Sequence, residues 1–333
     1  MKSYLVDVPV KINIWIRPEC QKRQFEVIKK ARPSIIFLQS DGGRNEEEWE
    51  KIYENRKLVD EGIDWDCKVY RLYEDHNNGL YKMGMKTREL IWSTVDRCVF
   101  LEDDQIPSVS YFRFCAELLE KYKDDERIEC ICGVNHLGIS DAVQSDYFFS
   151  RQGSVWGTAS WKRVCDSCNS FEYYNDSYVM KLLKQRTRNN HSIWRQLKAY
   201  ATVGNYDGHV PANEFWNEFD MYAQNRLQII PKVNMISNIG IGADSEHADE
   251  LSQLPRGIRR VFNMKTYEVN FPIKHAKYVI PDVEYEKKRN RIMAYNKPVI
   301  ASWRRIERAW IKLQNGDLKY IINKLKNKRM IEN

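Results

Sequence analysis

The chain has 333 residues, of which 43% are hydrophobic, enough to bury the core of one large α/β domain or of two smaller ones. Its formal net charge is +7, but the segment from Tyr285 to Asn333 holds 14 Lys and Arg against four Asp and Glu, so the rest of the chain is slightly acidic. Nucleic-acid-binding proteins normally carry a basic patch on the folded body, and the sequence has no apolar run of about 18 residues, so both that class and membrane-spanning proteins are disfavoured.

Strand and helix patterns alternate through the first hundred residues. Strands are predicted at 8–16, 34–38, 67–73 and 98–101, and helices at 18–31, 46–61 and 80–95. Such alternation predicts right-handed β-α-β units and a mostly parallel sheet, whose strands all end at one ligand-binding edge. The sequence has no glycine-rich phosphate loop, which disfavours a dehydrogenase or a P-loop enzyme.

Three consecutive carboxylates, Glu102, Asp103 and Asp104, follow the apolar run from Cys98 to Leu101. Adjacent carboxylates repel one another, so a fold that gathers them at a sheet edge needs a positive partner, such as a divalent cation with oxygen ligands. The alternative is a solvated acidic loop, or acids that begin the helix near Ser108. Because ligands of α/β sheets bind at the carboxyl ends of strands, the buried strand before the triplet makes a metal site as well supported as a solvated acidic loop.

The second half of the chain is less regular. A helix is predicted at 111–122, a strand at 127–134, helices at 177–184 and 192–201, and closing strands at 227–230 and 233–236. The aromatic run at 147–161 indicates either the wall of a pocket or an ordinary core. A flexible polar loop is expected at 237–247.

The eight cysteines are expected to be free thiols. The segment from Met1 to Asp7 is too short and mixed for a secretory signal, which favours a reducing cytoplasm. A four-thiolate zinc site built from Cys130, Cys132, Cys165 and Cys168 is conceivable, but the first two lie in a predicted strand and are more simply explained as buried residues.

The basic C-terminal segment carries an apolar stripe at helical spacing, formed by Trp303, Ile306, Trp310 and Leu313 among arginines and lysines. A basic amphipathic helix of this kind is typical of a membrane-surface element. The competing interpretation is a terminal helix docked on the protein's own core with a solvated basic face.

Several motifs together resemble nucleotide-sugar glycosyltransferases of the GT-A fold, especially the N-acetylglucosaminyltransferase I-like group and related bacterial polysaccharide glycosyltransferases. The matching residues are Arg17-Pro18, Ser40-Asp41-Gly42, Asn78-Gly79-Leu80, Phe100 to Asp104, Trp156-Gly157 with Trp161, Pro231 to Asn234, and Ser237 to Gly240. The resemblance covers residues 8 to 250. It implies a GT-A, Rossmann-like α/β fold with a mostly parallel sheet flanked by helices, to which the C-terminal basic amphipathic tail is added.

The resemblance also implies roles for individual residues. Asp41 and Arg17 would contact the nucleotide base, Glu102 and Asp103 the ribose and donor sugar, and Asp104 an Mn²⁺ or Mg²⁺ ion. Asn78 is assigned to the donor site with them.

The family places a catalytic acid before its last strands, and this chain departs from the usual motif there. Glu214, Glu218 and Asp220 compete for that role, and an ungapped count back from Pro231 favours Glu214. The alternative for Glu214 is an acid in the first turn of a helix. His247 is a candidate for the metal or the diphosphate, although a loop histidine is more often a plain surface residue.

The sequence thus predicts a catalytic domain at 1–250, with a nucleotide-sugar half at 1–134 and an acceptor half at 135–250, and an extension at 251–333. We expect a metal-dependent, inverting hexosyl- or N-acetylhexosaminyltransferase that uses a UDP-sugar to build a surface polysaccharide or glycolipid. Its partners would be a saccharide or lipid-linked saccharide acceptor and an anionic membrane surface, and it would not bind nucleic acid. We expect it in the cytoplasm or peripherally attached to the inner face of the cell membrane. The alternatives are a sugar nucleotidylyltransferase and a non-catalytic nucleotide-sugar-binding or membrane-tethering module.

Overall fold

The computed structural model describes residues 2–167, 176–188, 221–241 and 251–315, with isolated positions between 191 and 198. Its strands are β1 (Val6–Asn13), β2 (Pro33–Ser40), β3 (Lys68–Tyr73), β4 (Arg97–Leu101), β5 (Gln105–Pro107), β6 (Ile128–Cys132), β7 (Tyr147–Ser150), β8 (Thr158–Trp161), β9 (Leu227–Pro231) and β10 (Ile236–Asn238). Its helices are α1 (Pro18–Ala31), α2 (Glu46–Gly62), α3 (Gly79–Thr94), α4 (Ser110–Lys121), α5 (Lys162–Ser167), α6 (Ser177–Arg186), α7 (Arg256–Arg259), α8 (Val283–Met293) and α9 (Pro298–Gln314).

Eight strands form one sheet in the order β3-β2-β1-β4-β8-β6-β9-β7. The strands β1 to β4, β6 and β9 run parallel to one another, whereas β8 and β7 run the opposite way. The predicted α/β class, with a mostly parallel sheet between helices and a helix in the C-terminal segment, is confirmed. The carboxyl ends of β1 to β4 therefore lie on one edge, which is the usual place for a ligand.

Local sequence explains where the early helices begin. Pro18 occupies the first turn of α1, where a missing N–H costs nothing. Asn45 caps α2, because its side chain accepts a hydrogen bond from the backbone N–H of Glu48. The predicted boundaries of both helices lie within one residue of those observed.

The aromatic run at 147–161 contains two strands, β7 and β8, which the sequence analysis left irregular. Tyr147, Phe149 and Trp161 are buried in the main core, and the hydroxyl groups of Tyr122 and Tyr147 lie 2.7 Å apart. The ordinary-core interpretation therefore holds for these rings. Four-residue strands are too short to show a clear alternation, so the sequence pattern did not reveal them.

A second, two-stranded sheet pairs β5 with β10 in antiparallel register, so that Gln105 faces Asn238. The pairing extends past the strand end, since the N–H of Ile239 donates to the carbonyl of Asp104 over 2.9 Å. This small sheet fixes the turn that carries the three acids against the chain at 238–240.

Residues after the predicted domain boundary also contribute to the main core. Ile273 is buried there, and Glu268 accepts hydrogen bonds from the N–H groups of Val109 and Ser110 at the start of α4. A carboxylate at this position satisfies amides that have no partner inside the helix. The division at residue 250 stays a prediction.

Arg226 joins segments that are far apart in the sequence. Its guanidinium donates to Ser167 Oγ at the end of α5 over 2.6 Å, and it lies 2.7 Å from Glu126 and 3.4 Å from Glu129. Arg226 and Glu129 are both almost fully buried, so the pair is anchored by hydrogen bonds in a low-dielectric setting. Leu183 on α6 packs with Tyr222 in a separate small cluster.

The described cysteines are free thiols, as predicted. Cys130 and Cys132 are buried in β6, and Cys165 lies 2.7 Å from the guanidinium Nε of Arg88. Cys168, the fourth member of the conceivable zinc site, is outside the described residues.

Candidate functional site

The acid triplet lies where β4 ends, next to the residue that follows β1. Arg17 caps α1, and its Nη1 donates to Asp104 Oδ2 over 2.7 Å. Burial alone would lower the pKa of Arg17, but attraction from Asp103 and Asp104 outweighs this and raises it. The structure therefore brings together three of the predicted site residues around one ion pair.

Asp103 is the most buried acid of the triplet, with 7% of its surface exposed. Burial raises its pKa to about 6, although the nearby Arg17 opposes the shift. Its Oδ2 lies 3.7 Å from Arg17 Nε, and neither atom makes a hydrogen bond with any described residue. A buried carboxylate oxygen without a donor is costly and marks a place that a ligand can satisfy.

Glu102 is held by a buried glutamine. Gln105 Nε2 donates to Glu102 Oε2 over 3.0 Å, while Gln105 Oε1 accepts from the N–H groups of Glu102 and Gly157. Gln24, fully buried on α1, donates to the backbone carbonyls of Glu102 and Gln105. The acid turn is thus fixed by the side chains of Gln24 from α1 and Gln105 from β5, and Gln105 is itself held by the backbone N–H of Gly157 in the loop before β8.

Asn238 holds the other side of Asp104. Its Nδ2 lies 3.2 Å from Asp104 Oδ1, and its Oδ1 accepts from the N–H of Gly240. A Cβ on Gly240 would overlap Asp104 Oδ2 and would lie 2.8 Å from Arg17 Nη1. Only glycine lets the backbone pass this close to the ion pair.

Asp41, which follows β2, faces the start of α3. Its Oδ1 accepts from the N–H groups of Gly42 and Asn78, and its Oδ2 accepts from the N–H of Gly79 over 2.9 Å. Asn78 Nδ2 reaches Asp41 and Glu74. Because helix N-termini favour negative charge, the carboxylate of Asp41 fixes this loop. Its predicted contact with a nucleotide base stays a prediction.

Lys11 places a buried cation near the acids. It lies on β1 opposite Phe100 of β4, and its ammonium group donates to Asn13. Burial lowers the pKa of Lys11 to about 8, and attraction from Glu102 partly offsets the shift. The sequence analysis missed this lysine because a single polar residue in an alternating strand is read as solvent-facing.

The residues at the triplet fit a divalent cation. They offer hard carboxylate oxygens, the ligands that Mg²⁺ and Mn²⁺ prefer, and one buried oxygen of Asp103 has no hydrogen-bond donor among the described residues. Asp104, the predicted ligand, and Asp103 would hold the ion. Among the described residues, the one group of three potential ligands whose donor atoms all lie close together is Glu74, Asp75 and His76 after β3, of which Asp75 and His76 are exposed; the triplet does not form such a group.

Four predicted site residues lie outside the described residues. They are the candidate bases Glu214, Glu218 and Asp220, and the candidate metal or diphosphate partner His247. Their roles stay predictions. Asn238, Gln105 and Gln24 support the site without having been predicted for it, although Asn238 belongs to a motif that the resemblance singled out.

A cavity of about 530 Å³ lies elsewhere, between the end of β7 and α8. Among the residues that line it are Arg151, Gln152, Lys287 and Lys297. Since β7 is at the far edge of the sheet, four strand positions from β4, this cavity is separate from the acid triplet.

Comparison with known proteins gave matches among solved structures only. No family model matches the chain, and no curated protein matches it. One similar structure is a 4-diphosphocytidyl-2C-methyl-D-erythritol synthase from Anaerococcus prevotii. The match covers 69% of this chain and 90% of the synthase, at 7% identity and a TM-score of 0.36. A glucosyl-3-phosphoglycerate synthase from Mycobacterium tuberculosis, in complex with Mn²⁺, UDP and glucosyl-3-phosphoglycerate, is similar to 49% of this chain at 10% identity and a TM-score of 0.29. This chain spans 59% of that synthase.

Proposed function

We propose that the chain is a metal-dependent glycosyltransferase that moves a sugar from a nucleoside-diphosphate sugar to a hydroxyl group of a saccharide acceptor. The observation that carries the proposal is the group formed by Asp103, Asp104, Arg17 and Asn238 at the carboxyl ends of parallel strands. Acids and a guanidinium at this edge suit a donor that brings a cation and a diphosphate together.

The donor would lie along the ends of β1, β2 and β4. The resemblance assigns Arg17 to the nucleotide base, but its position beside the acids leads us to propose that it meets a diphosphate oxygen instead, since its Nε has no hydrogen-bond partner among the described residues. The carboxylate of Glu102, which Gln105 holds in place, would accept hydrogen bonds from hydroxyl groups of the ribose or the sugar. Asp41 and Asn78 would shape the part of the site that takes the base, for which we propose uracil.

Asp104 would hold Mn²⁺ or Mg²⁺, and we add Asp103, which the resemblance assigns to the ribose and donor sugar, as a second ligand because one of its buried oxygens has no hydrogen-bond donor among the described residues. When bound, the ion would stabilise the negative charge that develops on the departing diphosphate. The positive charge of Arg17 would also stabilise the departing diphosphate.

The acceptor hydroxyl needs a base, and we assign that role to Glu214, with Glu218 and Asp220 as the competing acids. One base on the face opposite the leaving group gives direct displacement and inversion at the anomeric carbon. The sugar would be a hexose or N-acetylhexosamine. We propose a growing surface polysaccharide or glycolipid as acceptor.

Nucleotide sugars and Mn²⁺ provide the first test. A thermal-shift screen with and without Mn²⁺ should find a donor that raises the melting temperature only when the metal is present. Incubating that donor with saccharides should then release nucleoside diphosphate. Release of pyrophosphate from a nucleoside triphosphate and a sugar phosphate would indicate a nucleotidylyltransferase instead, and binding without any turnover would indicate a binding module.

The base is tested by three variants of the same size as the parent residues, Glu214→Gln, Glu218→Gln and Asp220→Asn. A positioned base contributes roughly 10² to 10⁴ in rate, so the variant at the true base should bind donor normally but transfer at least about a hundredfold more slowly. A parent-like rate for Glu214→Gln together with an inactive Glu218→Gln or Asp220→Asn would move the role to that acid.

A further inference from the structure

The helix α9 presents its large apolar side chains to solvent. The exposed fractions are 81% for Val299, 65% for Trp303, 62% for Ile306, 61% for Trp310 and 47% for Leu313. Their spacing of four, three, four and three residues places them on one side of the helix. Two tryptophans and three aliphatic side chains on a single exposed stripe exceed the scattered apolar residues of an ordinary surface.

A different side of α9 holds the helix to the protein. Arg304 donates to the carbonyl of Ile292, and its guanidinium packs against Gly257 on α7. Glu307 accepts from the N–H of Arg256 over 3.0 Å. The side of α9 that faces the body therefore carries Arg304 and Glu307 together with the half-buried Ile300 and Ile311, and the larger apolar stripe points away from the body. A terminal helix docked on its own core would be expected to turn that stripe inward.

Cations occupy the third side. Arg305, Arg308 and Lys312 follow at three- and four-residue spacing; at 100° per residue Arg305 lies about 120° and Lys312 about 140° from the centre of the stripe, whereas Arg308 lies on the opposite side of the helix. Arg305 and Arg308 are exposed. Long basic side chains can lay their stems along an apolar surface and extend their charged ends to its rim. The segment from Tyr285 onward also has a strong excess of basic residues in its sequence.

We propose that α9 is a preformed docking surface for an anionic lipid bilayer, with the helix lying flat and Trp303 and Trp310 seated at the headgroup level. Tryptophan favours that region because one end of its ring system is apolar and the other can donate a hydrogen bond. The long side chains of Arg305 and Lys312 would extend to lipid phosphates at the rim of the stripe, and the net positive charge of the segment from Tyr285 onward favours an anionic surface as the partner.

The surface is preformed because the contacts of Arg304 and Glu307 already hold the helix. Binding to the bilayer then orders few additional residues. Less of the binding free energy is lost to ordering than if the helix had to fold as it bound. The bilayer would fix the orientation of the body, and a lipid-linked acceptor would reach it from that side. The inference goes beyond the transfer reaction and does not depend on it.

Co-sedimentation of the full chain with vesicles tests the proposal. The parent should bind vesicles with 30% phosphatidylglycerol, bind pure phosphatidylcholine much more weakly, and lose affinity as salt rises. The double variant Trp303→Ser with Trp310→Ser should lower the partition coefficient at least about tenfold. Neutralising Arg305, Arg308 and Lys312 with Gln should lower it roughly a hundredfold and flatten the salt dependence.

Matched controls come from exposed residues elsewhere. Tyr53→Ser removes an exposed aromatic ring from α2, and Gln at Lys22, Lys30 and Lys57 removes three charges from α1 and α2. Both should bind vesicles like the parent. The proposal would be overturned if the tryptophan variant bound vesicles as strongly as the parent, or if the parent bound anionic and neutral vesicles equally well. A parent that is dimeric and does not bind vesicles but becomes monomeric on loss of the tryptophans would also overturn it, because the stripe would then join two copies.

Discussion

The guanidinium of Arg17 lies 2.7 Å from the carboxylate of Asp104, and so links the chain after β1 to the last acid after β4. The pair is mostly buried, with side-chain exposures of 17% and 14%. One oxygen of the proposed metal ligand is therefore already neutralised by the protein. A cation that binds Asp104 must share that oxygen with Arg17 or replace it, so metal affinity should depend on Arg17 as well as on the acids.

Asp104→Asn should abolish Mn²⁺-dependent donor binding, because an amide is a weak ligand for a hard cation. Isothermal titration with the donor found in the screen, with and without Mn²⁺, measures this directly. The matched control is Asp75→Asn, in the exposed group after β3. A loss of metal dependence in Asp75→Asn, with Asp104→Asn unaffected, would place the ion at β3.

Gly240→Ala should weaken donor binding while leaving the fold largely intact. The added methyl group would overlap Asp104 Oδ2 and crowd Arg17, so the ion pair must open. We expect at least about a tenfold loss of donor affinity, equivalent to 1.4 kcal/mol. Gly84→Ala is the control, since nothing lies within 4 Å of its Cβ position in α3. That change should be neutral or stabilise the helix by up to about 1 kcal/mol. Equal donor affinity in both variants would show that the backbone can move away at Gly240.

Gln105→Leu should lower the free energy of unfolding by roughly 2 to 3 kcal/mol, because the N–H groups of Glu102 and Gly157 lose their acceptor in a buried setting. It should also weaken donor binding through the released side chain of Glu102. Urea denaturation and donor titration measure the two effects. The exposed Gln144→Leu should change neither; a similar stability loss there would remove the special role of Gln105.

Stability should fall in mild acid because of His136. Burial, and then the charge of Arg289, lower its pKa well below the usual value. The unfolded chain takes up a proton near pH 6.5 while the folded chain does not, so this contribution is complete above pH 6.5 and is lost as the pH falls. Between pH 7.5 and 5 the parent should lose stability relative to His136→Gln, while the raised pKa of Asp103, present in both proteins, acts in the opposite direction. Urea denaturation at both values checks this, with the exposed His76→Gln as control. An identical pH dependence in His136→Gln and the parent would contradict the assignment.

Local patterns were sufficient to predict the first half of the fold. Strand and helix periodicities between Val6 and Leu101 are long and have clear caps, so the order of elements and the sheet edge followed from them. The meeting of Arg17 with the acid triplet was predictable for the same reason, because parallel strands place their ends together. The short strands β5, β7 and β8 were missed, since their hydrogen-bond partners are distant in sequence and their residues show no period. The strand predicted at 233–236 was misplaced, because β10 spans Ile236–Asn238 and so begins the segment that was predicted as a loop.

The supporting residues could not be predicted in the same way. Gln105 and Asn238 resemble ordinary polar residues in a sequence, and only the pairing of β5 with β10 places both beside the acids. Likewise, the sequence showed that the C-terminal helix is amphipathic but not which face contacts the body. That choice depends on Arg304 and Glu307, whose partners lie on other elements.

The half-buried contact between Arg226 and Ser167 closes the chain on itself at the amino ends of the parallel strands, opposite the acid triplet, where β9 begins just after Arg226. All residues from 168 to 225 enter and leave through this one point. The three candidate bases all fall between these two residues in the sequence. Chimeras joined at Ser167 and Arg226 therefore exchange that part of the chain while the strands of the proposed donor site stay unchanged.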